Sequence, residues 1–470
     1  MLFSSIEFLF YFLPAVVLLY FIVPWKLKNS VLLFASLFFY GWGEPKYLLL
    51  MVSAIIVFYL LGLWVEKAKS KTTKKITVSC AVIYSVLMMG IFKYADFFIT
   101  NFNAVTGLNI HLLKLALPIG ISFYTFQCLS YVIDVYREKV PAQKNIIDFG
   151  TYVSLFPQLI AGPIVRYIDV AKELKERTHT KEKIIYGSQR FVIGLSKKIL
   201  IANLLGEFVN VFRSSTEKSI VFYWLYAIAF MLHIYFDFSG YSDMAIGLGK
   251  IFGFNFIENF NYPYMSKNIT EFWRRWHMSL GSWFRDYVYI PLGGNRVSKI
   301  RWIFNILVVW ALTGLWHGAE WNFVLWGLLY AVLLLIEKFM PTPNETVLKQ
   351  KVAKATISFS QHFYTLFFVM LGFVLFNANG LSGAWSDVCG LFAFGTLPLI
   401  NQETIYYLFS YLFVFMIAII GSTNLPKKII NKCNIKYLAV ITSPSMAILL
   451  LLCTAYLVDG SFNPFLYFRF

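Results

Sequence analysis

The sequence predicts an all-α polytopic membrane protein. Three observations carry that prediction. Of 470 residues, 59% are hydrophobic and only 14% charged, whereas a water-soluble domain carries about 25% charged residues. Apolar runs long enough to cross a bilayer recur from one end of the chain to the other. Lysine and arginine gather in the breaks between those runs, as they do in cytoplasmic loops. Residues 1–470 therefore read as one membrane-embedded domain, with a short tail at 459–470 and no soluble appendage.

The net charge of +17 follows from the same loops, which face anionic lipid. Nucleic acid is excluded as a partner, because no basic stripe interleaved with polar sequence lies outside the apolar runs. The five cysteines (Cys80, Cys128, Cys389, Cys433 and Cys453) are dispersed without a CxxC pair. That pattern argues against a disulfide framework and against a metal site. The first residues, MLFSSIEFLFYFLPAVVLLYFIV, lack a basic n-region and a small-residue cleavage site, so they read as a retained span.

Taken in order, the first span is Ile6–Val23. Lys26 and Lys28 follow it, which places that end in the cytoplasm and the N-terminus outside. Two runs, Val31–Tyr40 and Tyr47–Val65, flank the turn sequence GWGEP and return to a lysine-rich loop from Lys67 to Lys75. Spans are expected at Ile76–Phe92 and Leu112–Val135. Residues 146–166 are apolar but interrupted by Gly150, Pro157, Gly162 and Pro163, which suits a segment packed within protein or lining a cavity and not one facing lipid. Residues 169–190 mix Lys and Glu with Ile and Leu, like an interfacial helix.

Spans at Phe191–Phe212 and Ile220–Phe236 lead to a polar cluster, Asp237, Ser239, Ser242 and Asp243, expected to line the interior. His233 and Asp237 are four apart, a spacing that puts them on one helical face. The GLGK fragment that follows is no phosphate loop, since Ile251 occupies the position of its Ser or Thr. A basic stretch at 267–301 faces the cytoplasmic side, and Trp302–Trp316 and Trp321–Ile336 are the next spans. No Lys or Arg occurs between Lys354 and Lys427. The loop there, bearing Asp387 and Glu403 between spans Phe363–Phe376 and Ile405–Ile420, is expected outside. A last span, Tyr437–Val458, puts the C-terminus outside as well. The total is about eleven transmembrane helices plus broken or re-entrant segments.

Chemistry concentrates between Ile269 and Gly327. His317 sits in LWHG between two Trp-rich apolar runs, beside Gly318, Glu320 and Asn322. Ionisable groups at membrane depth are costly and usually functional, and a neutral imidazole suits general-base work near neutral pH. His277 follows FWRRW; assisting catalysis, binding a donor and ordering the cytoplasmic rim are all open to it. Arg274 and Arg275 suit a phosphate-bearing donor, with snorkelling to lipid phosphates as the competing reading. His111, His179 and His362 read as interior or loop residues. No GxSxG, HExxH or HxxxxD signature is present, so among enzymes a histidine-assisted transfer to a hydroxyl is what remains.

The stretch FWRRWHMSLGSWFRDYVYIPLGG followed by LTGLWHGAEWNFVLWG, together with DFSGYSDMAIG and NFNYPY, resembles the membrane-bound O-acyltransferase family. It is similar to the bacterial branch of alginate and peptidoglycan O-acetyltransferase membrane subunits, and the resemblance extends over most of the chain to the ending NPFLYFRF. It implies a multi-helix fold with a central tunnel, the family's invariant histidine at His317 and its second motif histidine at His277. It also implies that Tyr467 takes the acyl group transiently and presents it to an extracytoplasmic acetyltransferase partner; an interfacial aromatic anchor is the plainer reading of Tyr467. The implied donor is a cytoplasmic acyl thioester, acetyl-CoA, with no permanently bound cofactor, in the cytoplasmic membrane. Two rival functions are D-alanyl transfer to teichoic acid on the same fold and a non-enzymatic transporter. The second is opposed by the lack of an internal repeat between the two halves.

Overall fold

The computed structural model describes residues 1–160, 162–340, 351–432 and 435–460. Tyr467 and Cys433 lie outside the described residues. Among those residues the fold is helical from end to end, with no strand beyond one isolated bridge between Phe394 and Leu397.

Eight of the described helices are long and apolar enough to cross a membrane: α1 Pro45–Lys67, α2 Lys71–Thr106, α3 Ile220–Ile251, α4 Lys299–His317, α5 Trp321–Phe339, α6 Ala355–Phe376, α7 Gln402–Gly421 and α8 Ile441–Asp459. The difference from the expected eleven has physical causes. Glu7–Ile22 and Lys28–Gly43 form helices but are shorter. The expected span Phe191–Phe212 lies in helical sequence that carries Arg190, Lys197, Lys198 and Glu207. The expected span Leu112–Val135 does not form: helix starts only at Ile121, after Pro118 and Gly120, and its 16 residues are almost all buried. Gly120 holds φ +74°, and a Cβ there would sit 2.8 Å from the Leu159 carbonyl oxygen. In the outer loop expected between α6 and α7, Asp387 stands instead on a short helix, Gly380–Leu391, and pairs with Arg213 at 2.7 Å.

The described residues fall into two compact units. The first takes Met1–Leu195 and Tyr241–Ile257, with residues 457–460. Its core is aromatic, built on Phe3, Phe8, Phe39 and Phe156. The interrupted stretch at 146–166 folds here as helices Ile146–Ser154 and Phe156–Leu159, exposed at Ile146 and Ile147 and buried from Phe149 onward. Arg190 pairs with Asp243 at 2.8 Å.

The second unit takes Ser196–Gly240 and Glu258–Tyr456. Its membrane helices meet through small residues, which let backbones approach without a large apolar side chain between them. A Cβ on Gly314 of α4 would lie 2.2 Å from the Phe323 carbonyl oxygen of α5, and one on Gly327 of α5 would lie 2.2 Å from that of Trp310. Likewise Gly372 of α6 leaves room for the Tyr330 hydroxyl of α5.

The same unit holds a buried ion pair. Lys198, in a π-helical turn at Lys197–Ala202, places Nζ 2.6 Å from Asp237 Oδ1, and the two side chains are 3% and 1% exposed. One helical turn before Asp237, His233 donates Nδ1–H to the Ala202 carbonyl at 2.8 Å, and only a glycine at 206 leaves room for that ring. Of the polar cluster that begins at Asp237, Asp237 and Ser239 are buried in this unit, while Ser242 is buried and Asp243 half-buried in the first.

Candidate active site

His317 is the last residue of α4. The helix stops there because Gly318 is extended, and a side chain at 318 would collide with the Phe323 ring. The imidazole is 3% exposed and lies in an aromatic cage, edge-on to Trp316 at 4.9 Å, Trp326 at 5.0 Å and Phe376 at 5.2 Å between centroids. These rings come from α4, α5 and α6, so the glycine contacts between those helices set the dimensions of the cage. Asn322 is buried beyond it and donates to the Ala378 carbonyl at 3.1 Å. Glu320 is exposed and begins α5.

His277 lies in the link between two short helices, Ile269–Arg275 and Met278–Phe284, outside the eight spans. Its backbone is left-handed, with φ 45° and ψ 52°. Such a conformation costs of order 1–3 kcal/mol in a residue with a Cβ and persists only where surroundings enforce it. Asn259 is the enforcing residue. Its carbonyl accepts from Met278 N at 3.0 Å. Its carboxamide oxygen accepts from His277 Nδ1 at 3.1 Å, Ser279 N at 3.2 Å and Ser279 Oγ at 2.8 Å. Burial pushes the His277 imidazole down to about 3, so the ring is neutral near pH 7.

The two imidazoles share a neighbour. The Trp316 ring lies 5.7 Å from His277 and 4.9 Å from His317 between centroids. Phe238 closes the other side of His277 at 4.7 Å.

His277 also lines a cavity of about 630 Å³ whose wall includes Arg274, Arg285, Trp310, Thr313 and Lys338. A smaller polar recess of about 420 Å³ shares Arg274 and Lys338. The cavity thus has three cations in its wall, and a phosphate-bearing ligand fits that charge. The helix that carries Arg274 is fixed at its start by a carboxylate from α5: Glu337 accepts from Ile269 N at 2.5 Å and from Thr270 N at 2.9 Å, satisfying donors the helix itself leaves open.

The sequence candidates separate on this geometry. His277 and His317 come together across Trp316, and Arg274 joins His277 at the cavity. Arg275 does not join them there; it is drawn into an ion pair with Glu271 at 2.6 Å. Asp286 is held by Arg285 at 2.8 Å, and Asn295 is exposed. His233 and Asp237, expected as a pair on one face, take Ala202 and Lys198 as the partners just described. His179 faces Tyr20 at 2.9 Å, and His362 faces the Ser266 carbonyl at 3.0 Å. Sequence reasoning did not single out Asn259, Arg285 or Lys338. Asn259 lies in the NFNYPY motif, but nothing in its spacing points to a histidine 18 residues further on.

A helical membrane protein with two buried histidines packed on one tryptophan, one of them in the wall of a cation-lined cavity, has the parts a membrane-embedded transferase needs. The comparisons with known proteins define it further. The membrane-bound O-acyltransferase family profile matches residues 34–382, and the chain belongs to that family of acyltransferases. It is 38% identical to the probable alginate O-acetylase AlgI of Azotobacter vinelandii, with all of both chains aligned. It is 35% identical to the peptidoglycan O-acetyltransferase of Helicobacter pylori, over 83% of this chain and 80% of that one. The teichoic acid D-alanyltransferase of Bacillus subtilis is 31% identical, over 56% of this chain and 69% of its own.

Proposed function

We propose that this acyltransferase passes an acetyl group from acetyl-CoA in the cytoplasm across the membrane for O-acetylation of a cell-envelope or secreted polysaccharide. The observation that carries the reading is the end-to-end likeness to an alginate O-acetylase. The likeness to a D-alanyltransferase covers little more than half of this chain, which makes D-alanyl transfer the weaker reading.

In this reading Arg274, with Arg285 and Lys338, holds the phosphates of the donor, and Arg275 steadies the helix through Glu271. His317 acts as general base. It takes the proton of the attacking hydroxyl, whose unaided pKa near 10 makes a tyrosine a poor nucleophile. The oxygen bonds to the thioester carbonyl carbon, the carbon–sulfur bond breaks, and the coenzyme thiolate takes the proton back from the imidazolium. Tyr467 is the proposed transient acyl carrier, and an extracytoplasmic acetyltransferase is the partner that accepts the group from it. Both chain termini lie on the outer side in this arrangement, and His277 assists at the cavity.

The test is incubation of the purified protein with labelled acetyl-CoA and mass spectrometry of its C-terminal peptide, beside polysaccharide acetylation in cells. The wild type is expected to carry an acetyl adduct on Tyr467. His317→Ala and Tyr467→Phe are each expected to lose the adduct and the polysaccharide acetyl while remaining folded. Normal acetylation in either variant rejects the role given to that residue.

A further inference from the structure

Asn259 is fully buried, and its contacts settle which nitrogen of the neighbouring imidazole carries the proton. A backbone N–H can only donate. The Ser279 N–H lies in the first turn of its helix, where no intrahelical acceptor exists, and it meets the Asn259 carboxamide at 3.2 Å. The carboxamide atom facing it is therefore the oxygen, and a flip of the amide would set an NH2 group against that donor. The same oxygen lies 3.1 Å from His277 Nδ1. An amide oxygen has no proton to give, so Nδ1 carries the hydrogen of that bond. A neutral imidazole has one N–H, which leaves Nε2 with the lone pair.

We propose that Asn259 is a positioning residue that fixes His277 in its Nδ1–H tautomer, so that Nε2 serves as a hydrogen-bond acceptor for a hydroxyl or amide N–H of the molecule in the cavity. Three features support it besides the tautomer. The Asn259 carbonyl and side chain together grip residues 277, 278 and 279. They hold His277 in a left-handed conformation that the chain does not adopt unaided. The Phe238 and Trp316 rings then bound the imidazole, so its plane is set by packing while its proton is set by Asn259. The functional part of this inference rests on the proposed role of His277; the tautomer part does not.

Two measurements separate these parts. The first is nitrogen-15 NMR of histidine-labelled full-length protein, with the His277 signals assigned by their loss in His277→Gln. The expected spectrum has a protonated Nδ1 and an unprotonated Nε2 near pH 7. An Nε2–H tautomer overturns the proposal whatever the activity. The second is the pH dependence of acetyl transfer from acetyl-CoA. Asn259→Asp keeps an oxygen acceptor and adds a negative charge beside Nδ1, so the enzyme is expected to stay active with the acidic limb of its profile moved to higher pH. Asn259→Ala is expected to lower kcat about 100-fold with KM for acetyl-CoA near wild type. An active Asn259→Asp with an unmoved profile overturns the positioning role, and that variant retains the contacts needed to fold even where alanine does not. Full activity in His277→Gln with the expected tautomer intact instead rejects the role of His277 and leaves the tautomer assignment standing.

Discussion

Alanine at Gly314 tests whether the crossing of α4 and α5 sets the position of His317. The added methyl would lie 2.2 Å from the Phe323 carbonyl oxygen, and real Cβ atoms essentially never come within 3.0 Å of another heavy atom. The two backbones must part by about 1 Å at that point, because the obstacle is main chain and no rotamer change relieves it. Overpacking of this kind costs about 1–3 kcal/mol. His317 is the next turn of the same helix, so its ring moves by a similar distance within the cage of Trp326 and Phe376. A misplacement of about 1 Å at a reacting group lowers rate about 100-fold. Turnover of labelled acetyl-CoA in detergent should therefore fall by that factor in Gly314→Ala, and the thermal midpoint should drop with it. Gly327→Ala should behave alike, since its methyl meets the Trp310 carbonyl at the same 2.2 Å. Gly90→Ala is the control, with nothing within 4 Å of its Cβ. Wild-type turnover and midpoint in Gly314→Ala would refute the idea that this crossing positions His317, the proposed base.

Other expectations follow from the same unit. Removing one member of the Lys198–Asp237 pair, as in Lys198→Met, should destabilise by about 3–5 kcal/mol, and Lys198→Met with Asp237→Leu should recover much of that; equal midpoints for single and double variants would contradict a coupled pair. Arg274→Gln and Lys338→Gln should each raise KM for acetyl-CoA with little change in kcat, because they remove binding common to ground and transition states; unchanged KM would place the donor elsewhere. Burial holds His277 near 3, below the usual 6.5, so the unfolded chain binds this proton first as pH falls. Its contribution to stability is complete above about 6.5 and is lost as pH drops toward 3. Midpoints of wild type and His277→Gln measured across that range should therefore diverge on acidification, and parallel curves would count against the buried neutral ring.

Much of this was legible in the chain itself. Lysine-rich breaks located the ends of α1, α5 and α7, and the Trp-rich runs around LWHG marked α4 and α5 and the histidine between them. The interruptions at Gly150, Pro157 and Gly162 correctly signalled a segment packed within protein. What escaped depends on tertiary neighbours. The run from Leu112 is apolar enough to span, but Pro118 and the Gly120 contact with Leu159 delay its helix and bury it in the first unit. The partner of Asp237 is Lys198, which comes from what reads as an apolar span, because a buried ion pair hides a lysine where hydropathy expects none. Arg274 and Arg275 are indistinguishable in sequence; only the helix direction shows that Arg275 meets Glu271 a turn away while Arg274 reaches the cavity. Asn259 is silent for the same reason, since its role is defined by a fold-back of the chain and not by any local pattern.

One consequence concerns α5. Its Trp326 forms part of the wall around His317, and its Glu337 holds the start of the helix that leads to His277. Those two attachment points are eleven residues apart on an unbroken helix, roughly 16 Å at the usual rise. The two imidazoles are much closer to each other than that, each packed against Trp316. The helix is thus a strut that ties the cage of His317 to the start of the helix carrying Arg274, so any change that slides α5 along its axis should disturb the cage and the cavity wall together.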